Sequence, residues 1–195
     1  ITPGTVHAAE GGILVAEIQE SSDMTFRLYD WGRENNPATA RKMHLEEAID
    51  LINFGKYDPS LYRPASSMDD SQVNNLLVQC PQFTVNKLNL RAALRISPEQ
   101  FGSYIVYVCV SGSAAINVPK VPVADNVKAA AAFGTDAMDV YAFHKGETIL
   151  VPADMPDFYL VPTSPDTILL EATDGLREEV DEYINPDAPA ELPEE

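Results

Sequence analysis

Apolar and polar positions alternate in two runs near the start of the chain. Between Ile13 and Gln19, Leu14, Ala16 and Ile18 take one side while Glu17 and Gln19 take the other, the period of a half-buried strand. From Thr25 to Tyr29, Phe26 and Leu28 share one face, and Thr25, Arg27 and Tyr29 share the other. Glu20-Ser21-Ser22-Asp23 lies between the runs as a polar turn, so the pattern predicts an antiparallel hairpin with Glu17 and Arg27 on its polar face. After Arg33, a segment with Asn35, Asn36 and Pro37 reads as a loop. The spacing then becomes helical. Leu45, Ala48, Ile49 and Ile52 fall on one face of a helix predicted over His44 to Phe54, with Gly55 as its stop.

From Lys56 to about Asn75 the chain is rich in Pro, Ser and Asp and has no clear period, which reads as a linker. Beyond it come short strand candidates separated by Gly, Pro and Asp: Phe83 to Leu90, Tyr104 to Val110, Ala114 to Val118, Val140 to Phe143, Thr148 to Val151, Phe158 to Val161 and Ile168 to Glu171. Many short strands with frequent turn signals predict a sandwich or barrel. An Ala-rich insertion between Val121 and Met138 includes a short helix candidate, Ala129 to Phe133. Leu176, Val180, Tyr183 and Ile184 return at helical spacing, Pro186 stops that run, and an acidic tail follows. Four regions result: 1–55, a linker at 56–75, a β-rich body at 76–174, and a helix with tail at 175–195.

The 195 residues suffice for one large domain or two small ones. A net charge of −17 and a sequence pI near 4.4 argue against a broad nucleic-acid or anionic-membrane surface, both of which need clustered Lys and Arg. An anionic substrate would need a local basic pocket. Cys80 and Cys109 have no metal-ligand spacing and do not form a disulfide framework, which points to a reduced, cytoplasmic setting. No signal peptide or membrane-length apolar run is visible, and the chain opens on Ile1 rather than Met.

The densest chemistry lies early. His7 ends an extended piece just upstream of the predicted hairpin, so an imidazole, the Glu17 carboxylate and the Arg27 guanidinium are expected to converge on one cavity. His44 reads as a surface helix residue, and His144, beside Lys145-Gly146, as a turn residue.

Pro3-Gly4-Thr5-Val6-His7-Ala8, then Glu17-Ile18-Gln19, then Ser22-Asp23, Thr25, Arg27 and Tyr29-Asp30 with Arg33 close behind, resembles the type I mannose-6-phosphate isomerases of the cupin superfamily. Several separated motifs in one order and spacing make that resemblance specific. It is strongest over roughly residues 1–55 and weaker to about Asp174. It implies a mainly β, tandem cupin jelly-roll fold, with the first barrel incomplete and the second complete, plus short helices. It also implies a zinc-assisted interconversion of mannose 6-phosphate and fructose 6-phosphate through an enediol.

By the same resemblance His7 matches one zinc ligand, Glu17 a carboxylate near the metal, Arg27 the active-site arginine, and Arg33 a basic residue suited to the substrate phosphate. The plainer alternatives are a Glu17–Arg27 ion pair tying the hairpin and a solvated Arg33. The family's other zinc ligands have no counterpart here, so the chain reads as the C-terminal portion of a longer enzyme, and His7 alone is expected to bind zinc weakly. Gly146 to Pro152 resembles the second cupin motif, but Asp157 stands roughly where its histidine would be, so the second barrel is expected to bind no metal. A different class of reading is a non-catalytic cupin module that binds a sugar phosphate or a partner chain. The implied partner is a small sugar phosphate, with no nucleic acid or membrane.

Overall fold

The computed structural model describes residues 1, 3–22, 24–55, 73–120 and 137–175. The chain divides into two units, Ile1–Arg63 and Pro64–Glu195. Most of the expected linker, the helices expected at Ala129 to Phe133 and from Leu176, and the acidic tail lie outside the described residues.

The second unit is mainly β in its described part, with one short 3-10 helix at Pro98–Phe101. Its strands are β1 (Asn74–Gln79), β2 (Phe83–Leu90), β3 (Leu94–Ile96), β4 (Ile105–Ser111), β5 (Ser113–Pro119), β6 (Met138–His144), β7 (Thr148–Val151), β8 (Phe158–Pro162) and β9 (Thr167–Asp174). They form a five-stranded sheet ordered β1-β2-β9-β4-β7 and a four-stranded sheet ordered β3-β8-β5-β6, with every pairing antiparallel. Counted from β2, one sheet takes the first, eighth, third and sixth strands and the other takes the second, seventh, fourth and fifth. That interleaving is the jelly roll, two Greek keys wound into facing sheets, as the cupin resemblance implies. β1 is an added edge strand whose register slips between Leu76 and Val78.

The two inner faces make the core. Leu88, Leu90, Ile105, Tyr107, Cys109 and Leu169 from the larger sheet meet Leu94, Ile96, Ala114, Ile116, Phe158 and Leu160 from the smaller one. Tyr107 and Phe158 join the layers edge to face, with ring centroids 6.5 Å apart. One polar row crosses the larger sheet inside this core. Asn86, Glu171 and Tyr107 stand abreast on β2, β9 and β4, and the fully buried Glu171 carboxylate accepts from Asn86 Nδ2 at 3.2 Å and from the Tyr107 hydroxyl at 3.1 Å. A buried carboxylate requires such donors.

The strands expected at Phe83 to Leu90 and Thr148 to Val151 have those bounds, and five others differ by one to three residues at an end. β1 and β3 were not expected. β1 opens on two asparagines, which read as loop, and β3 is too short to display a period.

The first unit is different. No strand occurs among its described residues, and the hairpin expected from the alternation at 13–29 does not form. Alternation stabilises a strand only when a sheet face is covered, and two isolated strands are marginal in water. Leu14 accordingly stands 89% exposed. The expected helix shrinks to α1 (Leu45–Ile49), capped by Asp50 well before Gly55, and of its apolar stripe only Ala48 is buried. Five residues lie far below the length at which a helix is stable by itself.

Candidate active site

Pro3-Gly4 opens a turn that only glycine fits. Gly4 has φ +82°, and a Cβ there would meet the Leu51 carbonyl oxygen at 2.6 Å. The Gly4 carbonyl accepts from the Asn53 amide at 2.9 Å, which ties this stretch to the chain following α1. His7 follows. Its Nδ1 lies 2.9 Å from the Thr5 carbonyl oxygen. A carbonyl can only accept, so Nδ1 carries a hydrogen, and in the neutral ring the lone pair is then on Nε2, the tautomer in which histidines bind metal with a backbone carbonyl behind them.

His7 and Glu17 line one open concavity of about 450 Å³, together with Ala8, Val15, Ala16 and Ile18. Both side chains are exposed. The site therefore offers a lone-pair donor and a carboxylate on apolar walls. Zinc requires three or four protein ligands, and among the described residues no group of three His, Cys, Asp or Glu is placed to hold a metal. The described donor set supplies one ligand and falls short of a centre.

Arg27 is held elsewhere. No ion pair joins it to Glu17; its Nη1 donates to the Lys42 carbonyl at 3.1 Å. Arg33 is half-exposed with its Nε 3.9 Å from Asp30. Trp31 and Gly32, at φ +56° and +78°, turn the chain so that the Arg33 amide donates to the Asp30 carbonyl at 3.0 Å. Two consecutive left-handed residues make a type I′ turn, and a tryptophan in that conformation is unusual.

Asp30 is the centre of this second group. Its carboxylate is 1% exposed and receives both Nε and Nη2 of Arg41. The hydrogen bonding from Arg41 holds the carboxyl below its ordinary range against the opposing effect of burial, with further help from the charges of Arg41, Arg33 and Arg27. Arg41 and Arg33 thus stand against one carboxylate, and the charge of Arg27 also acts on it, so positive charge gathers here in an otherwise acidic chain.

Sequence reasoning placed none of Asp30, Arg41 and His44 in the candidate site. The spacing Arg27-x-x-Asp30-x-x-Arg33 carried a signal for the first, while Arg41 reaches Asp30 across an irregular loop that no periodicity reveals. His44 is not a solvated helix residue: it precedes α1, its backbone and ring both bind Arg27, and its ring packs edge to face on Phe26 at 6.0 Å.

In the barrel, Asp157 is committed to Arg95, receiving Nη2 at 2.8 Å and Nε at 3.2 Å. His144 is exposed at the end of β6 and lies 3.2 Å from Glu147. The His144 amide and ring hold the Glu147 carboxyl below its usual range. Cys80 and Cys109 are both free, and burial pushes the Cys109 thiol up. No helix among the described residues is long and apolar enough to cross a membrane.

No protein-family profile matches the chain. It is 28% identical over 152 residues to a mannose-6-phosphate isomerase of Streptococcus mutans serotype c, a match covering 78% of this chain and 41% of that protein. It is 29% identical over 160 residues to the mannose-6-phosphate isomerase ManA of Bacillus subtilis, covering 82% of this chain and 44% of the relative. The chain thus spans less than half the length of these curated relatives. Among solved structures, the mannose 6-phosphate isomerase from Bacillus subtilis shares the fold over 77% of this chain and 40% of its own, with a TM-score of 0.53 and 20% identity.

Proposed function

We propose that this chain, a relative of the mannose-6-phosphate isomerases, contributes the His7, Glu17 and Arg27 side of a site that interconverts mannose 6-phosphate and fructose 6-phosphate. The observation that carries the proposal is the shared concavity of His7 and Glu17, with His7 Nδ1 engaged by the Thr5 carbonyl. Aldose–ketose isomerisation moves a proton between adjacent carbons, and Glu17 is a carboxylate exposed to a bound sugar, suited to carry it. Negative charge develops on the enediol oxygens as that proton leaves. Arg27 has a planar fork of donors, only one of which is spent on Lys42, and is suited to meet that charge. Arg33, half-exposed within the positive charge gathered around Asp30, is suited to the phosphate.

His7 is proposed as one ligand of a zinc ion, whose role in such chemistry is to polarise a carbonyl. The other ligands must come from outside the described residues. The incomplete donor set also supports a second reading, a non-catalytic module that binds the sugar phosphate.

The test is a coupled assay of mannose 6-phosphate turnover on the 195-residue chain with added zinc, alongside NMR titration with the same sugar phosphate. The expected result is saturable shifts at Arg27 and Arg33, weak zinc retention after dialysis and turnover near background. Stoichiometric zinc or clear turnover would overturn the ligand count. A titration that leaves both arginines unmoved would remove the substrate assignment.

A further inference from the structure

The chain from Lys42 to His44 grips Arg27 at three points. The His44 amide donates to the Arg27 carbonyl at 2.9 Å, the Arg27 amide donates to His44 Nδ1 at 3.0 Å, and Arg27 Nη1 donates to the Lys42 carbonyl at 3.1 Å. Two of these bonds are indifferent to pH. The middle one is not. A backbone N–H can only donate, so Nδ1 must offer a lone pair and the ring hydrogen must sit on Nε2. A protonated imidazole carries hydrogens on both nitrogens and would turn one of them toward the Arg27 N–H.

We infer that His44 is a positioning residue for Arg27, whose hold on the Arg27 backbone is present while its ring is neutral and is released when the ring takes up a proton. The inference rests on the reading of Arg27 as the group that meets charge on the substrate. The ring has no easy alternative orientation, since it is half-buried and packs edge to face on Phe26 at an interplanar angle of 82°. Losing the middle bond frees the backbone torsions that set the direction of the Arg27 side chain.

Several charges bear on the ring. On α1, the charges of Glu47 and His44 interact, with Glu46 beside Glu47. Lys42 is paired to Glu47 at 3.0 Å, and the Arg27 guanidinium is held at the Lys42 carbonyl. In this way the bond would act on kcat through Arg27 without His44 touching substrate.

The experiment uses the ¹⁵N-labelled 195-residue chain, following the His44 ring nitrogens and the hydrogen-exchange protection of the Arg27 amide from about pH 8 to about pH 5. The expected result is a neutral Nε2–H tautomer at the upper end and a fall in protection of about tenfold or more as the ring protonates, the scale of one net hydrogen bond. His44→Asn sets an oxygen acceptor where Nδ1 stands and removes the titration, so protection should persist across the range. His44→Phe keeps a ring against Phe26 without the acceptor, so protection should be low throughout. A hydrogen on Nδ1 of the neutral ring, or the same pH dependence in His44→Asn as in the parent, would overturn the inference. These amide readouts do not depend on turnover, so they stand apart from any failure of the substrate reading.

Discussion

Leu169 in the barrel has no exposed surface, whereas Leu14 in the first unit is 89% exposed. The same contrast runs through both regions. The barrel closes two sheets over one core and buries even a carboxylate, Glu171, among donors. Among the described residues of the first unit only Asp30 and Ala48 are buried, yet every candidate for chemistry lies there. Cores resist change because their packing is dense and shared, while groups that meet a substrate must stand free of it. In the first unit, polar anchors do the work that apolar packing does in the barrel: the Arg41 fork on Asp30, and the Lys42–His44 grip on Arg27.

The largest effect expected from this contrast is in the barrel. Phe158→Ala empties a fully buried position that joins the two sheets, and should cost about 3–5 kcal/mol in urea unfolding followed by far-UV circular dichroism. A loss under about 1 kcal/mol would mean that the core is not where stability resides. Next, in any preparation that shows turnover, Arg27→Lys keeps the charge but loses the planar fork, and kcat should fall about a hundredfold with thermal stability little changed. A clear drop in melting temperature with kcat nearly intact would make Arg27 a structural residue.

Acid should act on the first unit through Asp30. Its carboxyl is lowered in the folded chain, so its contribution is fully present above the ordinary carboxylate range and is lost as pH falls through the folded value, below about pH 4. Trp31 is the single tryptophan and lies beside Asp30, so its fluorescence reports the loss. Asp30→Asn should remove that acid step, and a step that survives the substitution would place its origin elsewhere. The smallest effect belongs to Leu14→Ser, expected within about 0.5 kcal/mol because little apolar contact is lost. A larger destabilisation would show that Leu14 is covered in solution.

The barrel was more legible in the sequence than the first unit for a physical reason. Thr148 to Val151 lies between Gly146 and Pro152, Phe83 to Leu90 follows Pro81, and both belong to a sheet that covers them, so local pattern and tertiary pairing agree. At Ile13 to Tyr29 the local pattern is just as regular, but no partner strand follows, and alternation alone does not create one. For the candidate site, His7, Glu17 and Arg27 stood out because motif and spacing marked them. The structure brings His7 and Glu17 to one concavity and places Arg27 with Asp30 and His44. Arg41 and His44 act through contacts spanning eleven and seventeen residues of irregular chain, which no periodicity encodes.

The last strand among the described residues of the barrel is also its keystone. β9 lies between β2 and β4 and pairs with both along almost its whole length. During synthesis, at about 5–20 residues per second, β2 and β4 leave the ribosome several seconds before residues 167–174 do. Over that interval β1 can pair with β2, but β4 has neither of its sheet neighbours until β7 emerges shortly before β9, so each strand offers open edges to wrong partners. Non-local pairing of this kind folds slowly, so a nascent chain paused before Thr167 would be the form most in need of a chaperone.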